Sequence, residues 1–147
     1  MSEHRVEISW TKETDSFSYI NYNRNHKWLF DNDIALAASA SPFFLGNPGC
    51  IDPEEAFVAS LSSCHMLSFL AICARKRIVV EKYYDSAVGL LRKNDEDRLA
   101  ITRLILRPRI TFSKDTIPTA EEIKKLHDLA HRECFLANSI NSEIIIV

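Results

Sequence analysis

Between Ala56 and Ala74 the chain holds no Asp, Glu, Lys or Arg, and its only ionisable side chains are Cys64, His65 and Cys73. The stretch predicts a helix with apolar or small residues on every side, and a helix apolar all round is one buried on all sides. Both ends are marked. Asp52 can cap, Pro53 suits the first helical position, and Glu55 stands three residues after Asp52 as in a capping box. Arg75, Lys76 and Arg77 lie against the negative end of the helix dipole. Upstream, Val6, Ile8 and Trp10 alternate with Glu7 and Ser9, and Phe17 and Tyr19 continue the alternation through Ser16 to Tyr22. These runs predict strands with one buried face. A polar turn (YNRNH), the run Lys27 to Phe30, a DND turn and the run Ile34 to Ala40 complete a predicted antiparallel meander. Ser41 to Ile51, with two of the five prolines and two of the three glycines, is a loop leading into the central helix.

Beyond the helix, Ile78 to Leu91 and Arg98 to Phe112 are strand-like runs flanking KNDED, a charged hairpin turn, and Pro108 places an edge or bulge in the second. Thr119 and Glu122 form a second capping box, opening a helix on which Ile123, Leu126, Ala130 and Cys134 share one face. Ser142 to Val147 closes the chain as a short apolar strand. Strands, long helix, strand hairpin, helix and strand define an α+β fold with largely antiparallel sheets packed on a long buried central helix. At 147 residues a single domain is expected. One layer pair of that size hardly surrounds a central helix, so two copies pairing their helices, a homodimer, are expected.

Composition narrows the function. A net charge of −2 with scattered basic residues gives no footing for nucleic acid. Ala56 to Ala74 approaches membrane-spanning length, but its Ser, His and Cys residues cluster at the centre, which argues against a membrane role. The first ten residues carry no apolar signal-peptide core, so a cytoplasmic location is expected. In that reducing setting the four cysteines are free, catalytic or metal-bound rather than a disulfide framework.

Cys64 stands in the middle of the central helix, between Ser62, Ser63 and His65. A free cysteine there can be a small hydrophobe, as Cys73 and Cys50 are expected to be. Cys134, inward-facing on a second helix, supplies the arrangement a resolving thiol needs. Glu54 lies in the first turn of the central helix and Arg24 in the polar turn between aromatic-rich strands. His127, His131 and Cys134, at i, i+4 and i+7, could with Cys64 bind zinc, a rival reading. A non-enzymatic dimer that holds an apolar ligand is another.

Four separated motifs carry a resemblance. DPEEAFVASLSSCHMLSFLA resembles the central-helix signature of the OsmC/Ohr family, osmotically inducible protein C and organic hydroperoxide resistance protein. YYDSAVG and CFLANSI resemble that family's second strand and second-cysteine regions, and RNHKWLFD with the later ASASP its arginine-bearing N-terminal segment. The resemblance implies that Cys64 is the peroxidatic cysteine, Cys134 the resolving cysteine, and Glu54 and Arg24 the accompanying glutamate and arginine. It also implies an OsmC-like fold and an intertwined homodimer with two sites at the interface. One departure is visible. Phe135 follows Cys134 where many members have proline, which places the chain nearer the OsmC-like branch.

The chemistry fits that assignment. A cysteine attacks a peroxide as thiolate, and mid-helix burial disfavours the ion, so a fixed cation such as Arg24 is wanted beside it. Lowering a thiol pKa from about 8.5 to about 5.5 raises the thiolate fraction near neutrality only roughly tenfold, so Arg24 is also expected to stabilise the leaving alkoxide. The expected cycle passes through a Cys64 sulfenic acid and a Cys64–Cys134 disulfide, with no metal or bound cofactor, and an external dithiol of lipoyl or thioredoxin type as reductant. Apolar surroundings favour an organic hydroperoxide, with Phe43, Phe44 and Phe57 as candidate pocket lining. Glu54 and Cys64 are ten residues apart, about 15 Å along a straight helix, so they cannot meet within one helix. If both serve one thiolate through Arg24, either the helix starts after Glu54 and the preceding loop folds back, or a second copy supplies part of the site, and the all-round apolar helix already asks for that partner.

Overall fold

The computed structural model describes all 147 residues. The chain forms two compact units, 1–56 and 57–147. In the first, β1 (Val6–Ser9), β2 (His26–Phe30) and β3 (Ala35–Ala38) make an antiparallel meander in the order β1-β2-β3. Its tight turn uses Asn32 and Asp33, both at positive φ (63° and 59°), the left-handed conformation that Asn and Asp tolerate. Three sequence-based expectations change here. Ser16 to Tyr22 is a turn and not a strand: the Asn21 and Tyr22 N–H groups both donate to the Ser18 carbonyl, and the Thr14 hydroxyl bonds the Ser16 carbonyl. The alternation came from aromatic packing of Phe17 against Trp10 and Tyr22, 5.9 and 5.6 Å between ring centroids. β1 is an edge strand whose Val6 and Ile8 stay exposed. The loop before the central helix contains a 3-10 turn, Pro42–Phe44.

α1 (Pro53–Arg75) begins as predicted. The Glu55 N–H donates to Asp52 Oδ1 at 2.7 Å and the Asp52 N–H to Glu55 Oε2 at 3.3 Å. It ends in a Schellman motif: Ile78 N–H bonds the Cys73 carbonyl, Arg77 N–H bonds that of Ala74, and Arg77 takes φ 60°. Though α1 is long and apolar enough to cross a bilayer, the fold uses it as core, burying Leu61, His65, Phe69, Ile72 and Cys73. The expectation that every face is covered is not met within one chain. Ala59, Ser63, Leu67 and Ala71, spaced four apart, form an exposed stripe, and Leu67 is 60% exposed.

The two strand runs after α1 are each broken once. β4 (Val80–Asp85) and β5 (Val88–Lys93) face β7 (Pro108–Phe112) and β6 (Leu99–Leu106), so one long hairpin feeds two sheets, β4-β7 and β5-β6-β8. The break falls where Pro108 lacks a donor and Asp85 turns inward. Asp85 Oδ1 accepts the Arg107 N–H at 2.6 Å, and its Oδ2 accepts the Ser62 hydroxyl of α1 at 2.5 Å. β8 (Glu143–Ile146) pairs parallel to β6, a departure from an all-antiparallel reading, because the chain returns through α2 (Ala120–Glu133) before adding its last strand. The Thr119–Glu122 capping box opens α2 as expected. Two apolar clusters result, one around Phe69, Ile72, Cys73, Leu126 and Ala130, the other around Leu61, Leu104 and Cys134.

Candidate active site

Cys64 and Cys134 come together. Cys134 sits one residue past the end of α2, at φ −74° and ψ 111°, where the chain leaves the helix and turns inward. It is 0% exposed, packed with Leu61 and Leu104, and Cys64 of α1 packs against the same cluster while staying partly exposed. Both thiols are free and lie in one apolar cluster. Burial first, then the neighbouring Cys64 thiol, push Cys134 up to about 11, while the Ala137 N–H donating to its sulfur at 3.4 Å opposes the rise. A neutral thiol that can donate to its neighbour is suited to stabilising a thiolate on Cys64 and then to attacking an oxidised sulfur there. Phe135, the departure after the second cysteine, lies 81% exposed outside this cluster, so the residue after Cys134 faces away from the sulfurs.

Arg24 is held within 1–56. Its Nη1 and Nη2 donate to the carbonyls of Tyr22 (3.0 Å) and Tyr19 (2.6 Å), and its guanidinium lies 4.1 Å from the Tyr22 ring centroid. It borders a hollow of about 360 Å³ walled by Trp10, Phe17, Tyr22, His26 and Pro53. Glu54 follows Pro53 in the first turn of α1 and makes no ion pair with Arg24. Of the three phenylalanines, Phe57 packs on the Leu61–Leu104–Cys134 cluster. Phe43 and Phe44 meet edge to face in the 3-10 turn, with Phe43 83% exposed. Cys73 is buried in the other cluster, and burial raises its pKa, which fits an inert packing role. No three His, Cys, Asp or Glu side chains converge as a metal site, so the His127–His131–Cys134–Cys64 set is not assembled.

His127 is engaged elsewhere, in an arrangement that helix spacing on the sequence did not disclose. Its Nδ1 lies 3.0 Å from His65 Nε2, and the two rings are parallel within 8° at 5.3 Å between centroids. His65 is 1% exposed. The only sequence signal for this pair was a histidine inside the otherwise uncharged middle of α1.

A family model described as OsmC-like protein matches residues 46–147. An OsmC-like protein of unknown function from Vibrio cholerae superposes with a TM-score of 0.94 at 44% identity, covering 100% of this chain and 99% of that one. An organic hydroperoxide resistance protein OsmC from Legionella pneumophila gives 0.76 at 17% identity, with 99% and 96% covered. One from Elizabethkingia anophelis, with thiocyanate bound, gives 0.72 at 18% identity, with 99% and 94% covered. No curated protein sequence matches. A mixed α+β chain that sets a partly exposed cysteine of its long helix beside a buried one just past its second helix therefore belongs to a known class. The chain is a member of the OsmC/Ohr family of OsmC-like proteins, a family that includes proteins named for organic hydroperoxide resistance.

Proposed function

We propose that this protein is a thiol-dependent peroxidase that reduces organic hydroperoxides to alcohols. The observation that carries the reading is the contact between a partly exposed Cys64 and a fully buried Cys134. The Cys64 thiolate attacks the outer peroxide oxygen. The S–O bond forms, the O–O bond breaks, and the alkoxide takes up a proton to leave as the alcohol. Cys134 then attacks the sulfenic sulfur, hydroxide leaves as water, and a Cys64–Cys134 disulfide remains. An external dithiol, lipoyl-type or thioredoxin-type, restores both thiols and is itself oxidised to a disulfide. Arg24 and Glu54 are assigned by family resemblance to stabilising the thiolate and the departing alkoxide. A cytoplasmic location agrees with four free cysteines, and a homodimer agrees with the exposed stripe on α1.

Loss of cumene or tert-butyl hydroperoxide with reduced lipoamide, run beside a thioredoxin system, is the test. Turnover with either reductant is expected in the wild type and is abolished by Cys64→Ser, which leaves the thermal midpoint nearly unchanged because it creates no large cavity. A Cys64→Ser protein with half the wild-type turnover overturns the assignment. The aromatic hollow beside Arg24 favours a second reading, a dimer that binds an apolar ligand with an acidic end without chemistry. A hydroperoxide pool left intact by reduced protein supports that reading instead.

A further inference from the structure

The His65–His127 pair joins the two elements that carry the cysteines. His65 follows Cys64 on α1, and His127 lies on α2 seven residues, about two turns, before Cys134. Between them runs one hydrogen bond, Nε2 to Nδ1 at 3.0 Å, inside a wall formed by Phe69, whose ring centroid is 4.5 Å from that of His127. Apart from apolar contacts, it is the side-chain bond that ties α2 to the centre of α1. Arg75 and Glu133 tie the two helices again at 2.6 Å, but that pair is exposed and worth little.

The bond has a proton capacity. With both rings neutral, one nitrogen donates and the facing one accepts. One added proton is accommodated, since an imidazolium can still donate to a neutral ring. A second proton leaves donors on both sides of the 3.0 Å gap and two like charges in an apolar wall. We propose that the His65–His127 pair is a positioning latch that docks α2 on α1 with Cys134 against Cys64, and that its second protonation releases Cys134.

The surroundings favour the unprotonated pair. From α2, the charge of His131 acts on His65 and that of Asp128 on His127. From β4, the Asp85 carboxylate acts on both rings through its charge, and Tyr83 packs against Phe69 with its hydroxyl unpartnered. Burial, then the His127 and His131 charges, lower His65 to about 4 against the pull of Asp85, and burial lowers His127 as well. A base whose folded value lies below its ordinary value makes the fold resist protons. The contribution is therefore whole above about 6.5 and is lost as pH falls toward about 4.

The test does not depend on peroxidase activity. Diamide, a two-electron oxidant, takes the two thiol hydrogens and becomes the hydrazine, leaving a Cys64–Cys134 bond that non-reducing peptide mapping measures. At neutral pH, His127→Ala is expected to slow this bridging at least about tenfold. The double variant His65→Gln/His127→Asn replaces the pair with amides that keep one donor and one acceptor but do not titrate. It is expected to bridge within about twofold of wild type at pH 7, and to outpace wild type at least about tenfold near pH 4. A variant-to-wild-type ratio that stays constant over that range, or wild-type bridging in a folded His127→Ala protein, overturns the proposal. If His127→Ala does not fold by circular dichroism, the pH dependence of the double variant alone decides. Because diamide replaces the peroxide, a protein inactive toward hydroperoxides still gives either result.

Discussion

At the residue scale, Cys134 is set apart by how far its environment works against ionisation. Burial and the neighbouring Cys64 place its value at about 11, so near neutrality only a small fraction is thiolate. Condensation of a Cys64 sulfenic acid is therefore expected to accelerate roughly tenfold per pH unit, with no plateau until about 11. Single-turnover formation of the disulfide, followed over pH 6–10 after one equivalent of hydroperoxide, checks this. A plateau near pH 8 points to an environment that ionises Cys134 on oxidation. That Cys64 and Cys134 belong together was legible from two inward cysteines and a family motif. The His65–His127 bond was not, because a contact across 62 residues leaves no periodic trace, and His127 and His131 at i and i+4 suggested a metal face.

At the element scale, helix starts were readable and strand ends were not. Asp52–Glu55 and Thr119–Glu122 declare their helices through local side-chain chemistry, and both boxes form. Ser16 to Tyr22 alternates like a strand, yet no partner strand pairs with it, and Ser18 turns the backbone back on itself. The breaks at Ser86–Ala87 and at Arg107 depend on Asp85 finding Ser62 and Arg107, a tertiary event with no local marker. The end of α1 offers a direct check. Arg77 takes φ 60° at a position where glycine carries no steric penalty. Arg77→Gly is expected to stabilise the protein by about 1 kcal/mol in denaturant unfolding, and a destabilisation means that the Arg77 stem packs usefully.

At the scale of the whole molecule, the exposed stripe of Ala59, Ser63, Leu67 and Ala71 on α1 is where a second copy is expected. Light scattering at low micromolar concentration is expected to report twice 16.8 kDa. Leu67→Glu is expected to shift the population toward monomer, and an unshifted dimer places the interface elsewhere. The corner at Asp85 has a different consequence. One hairpin supplies strands to two sheets, and a single carboxylate rivets its fold line to α1 through Ser62 and to the returning strand through Arg107. Neither sheet owns its strands outright, so neither can be peeled away while the other stays whole. Amide exchange in β4–β7 and in β5–β6 should then open with one free energy, as a hinged panel opens on a shared pin, and Asp85→Ala should let the two leaves swing separately.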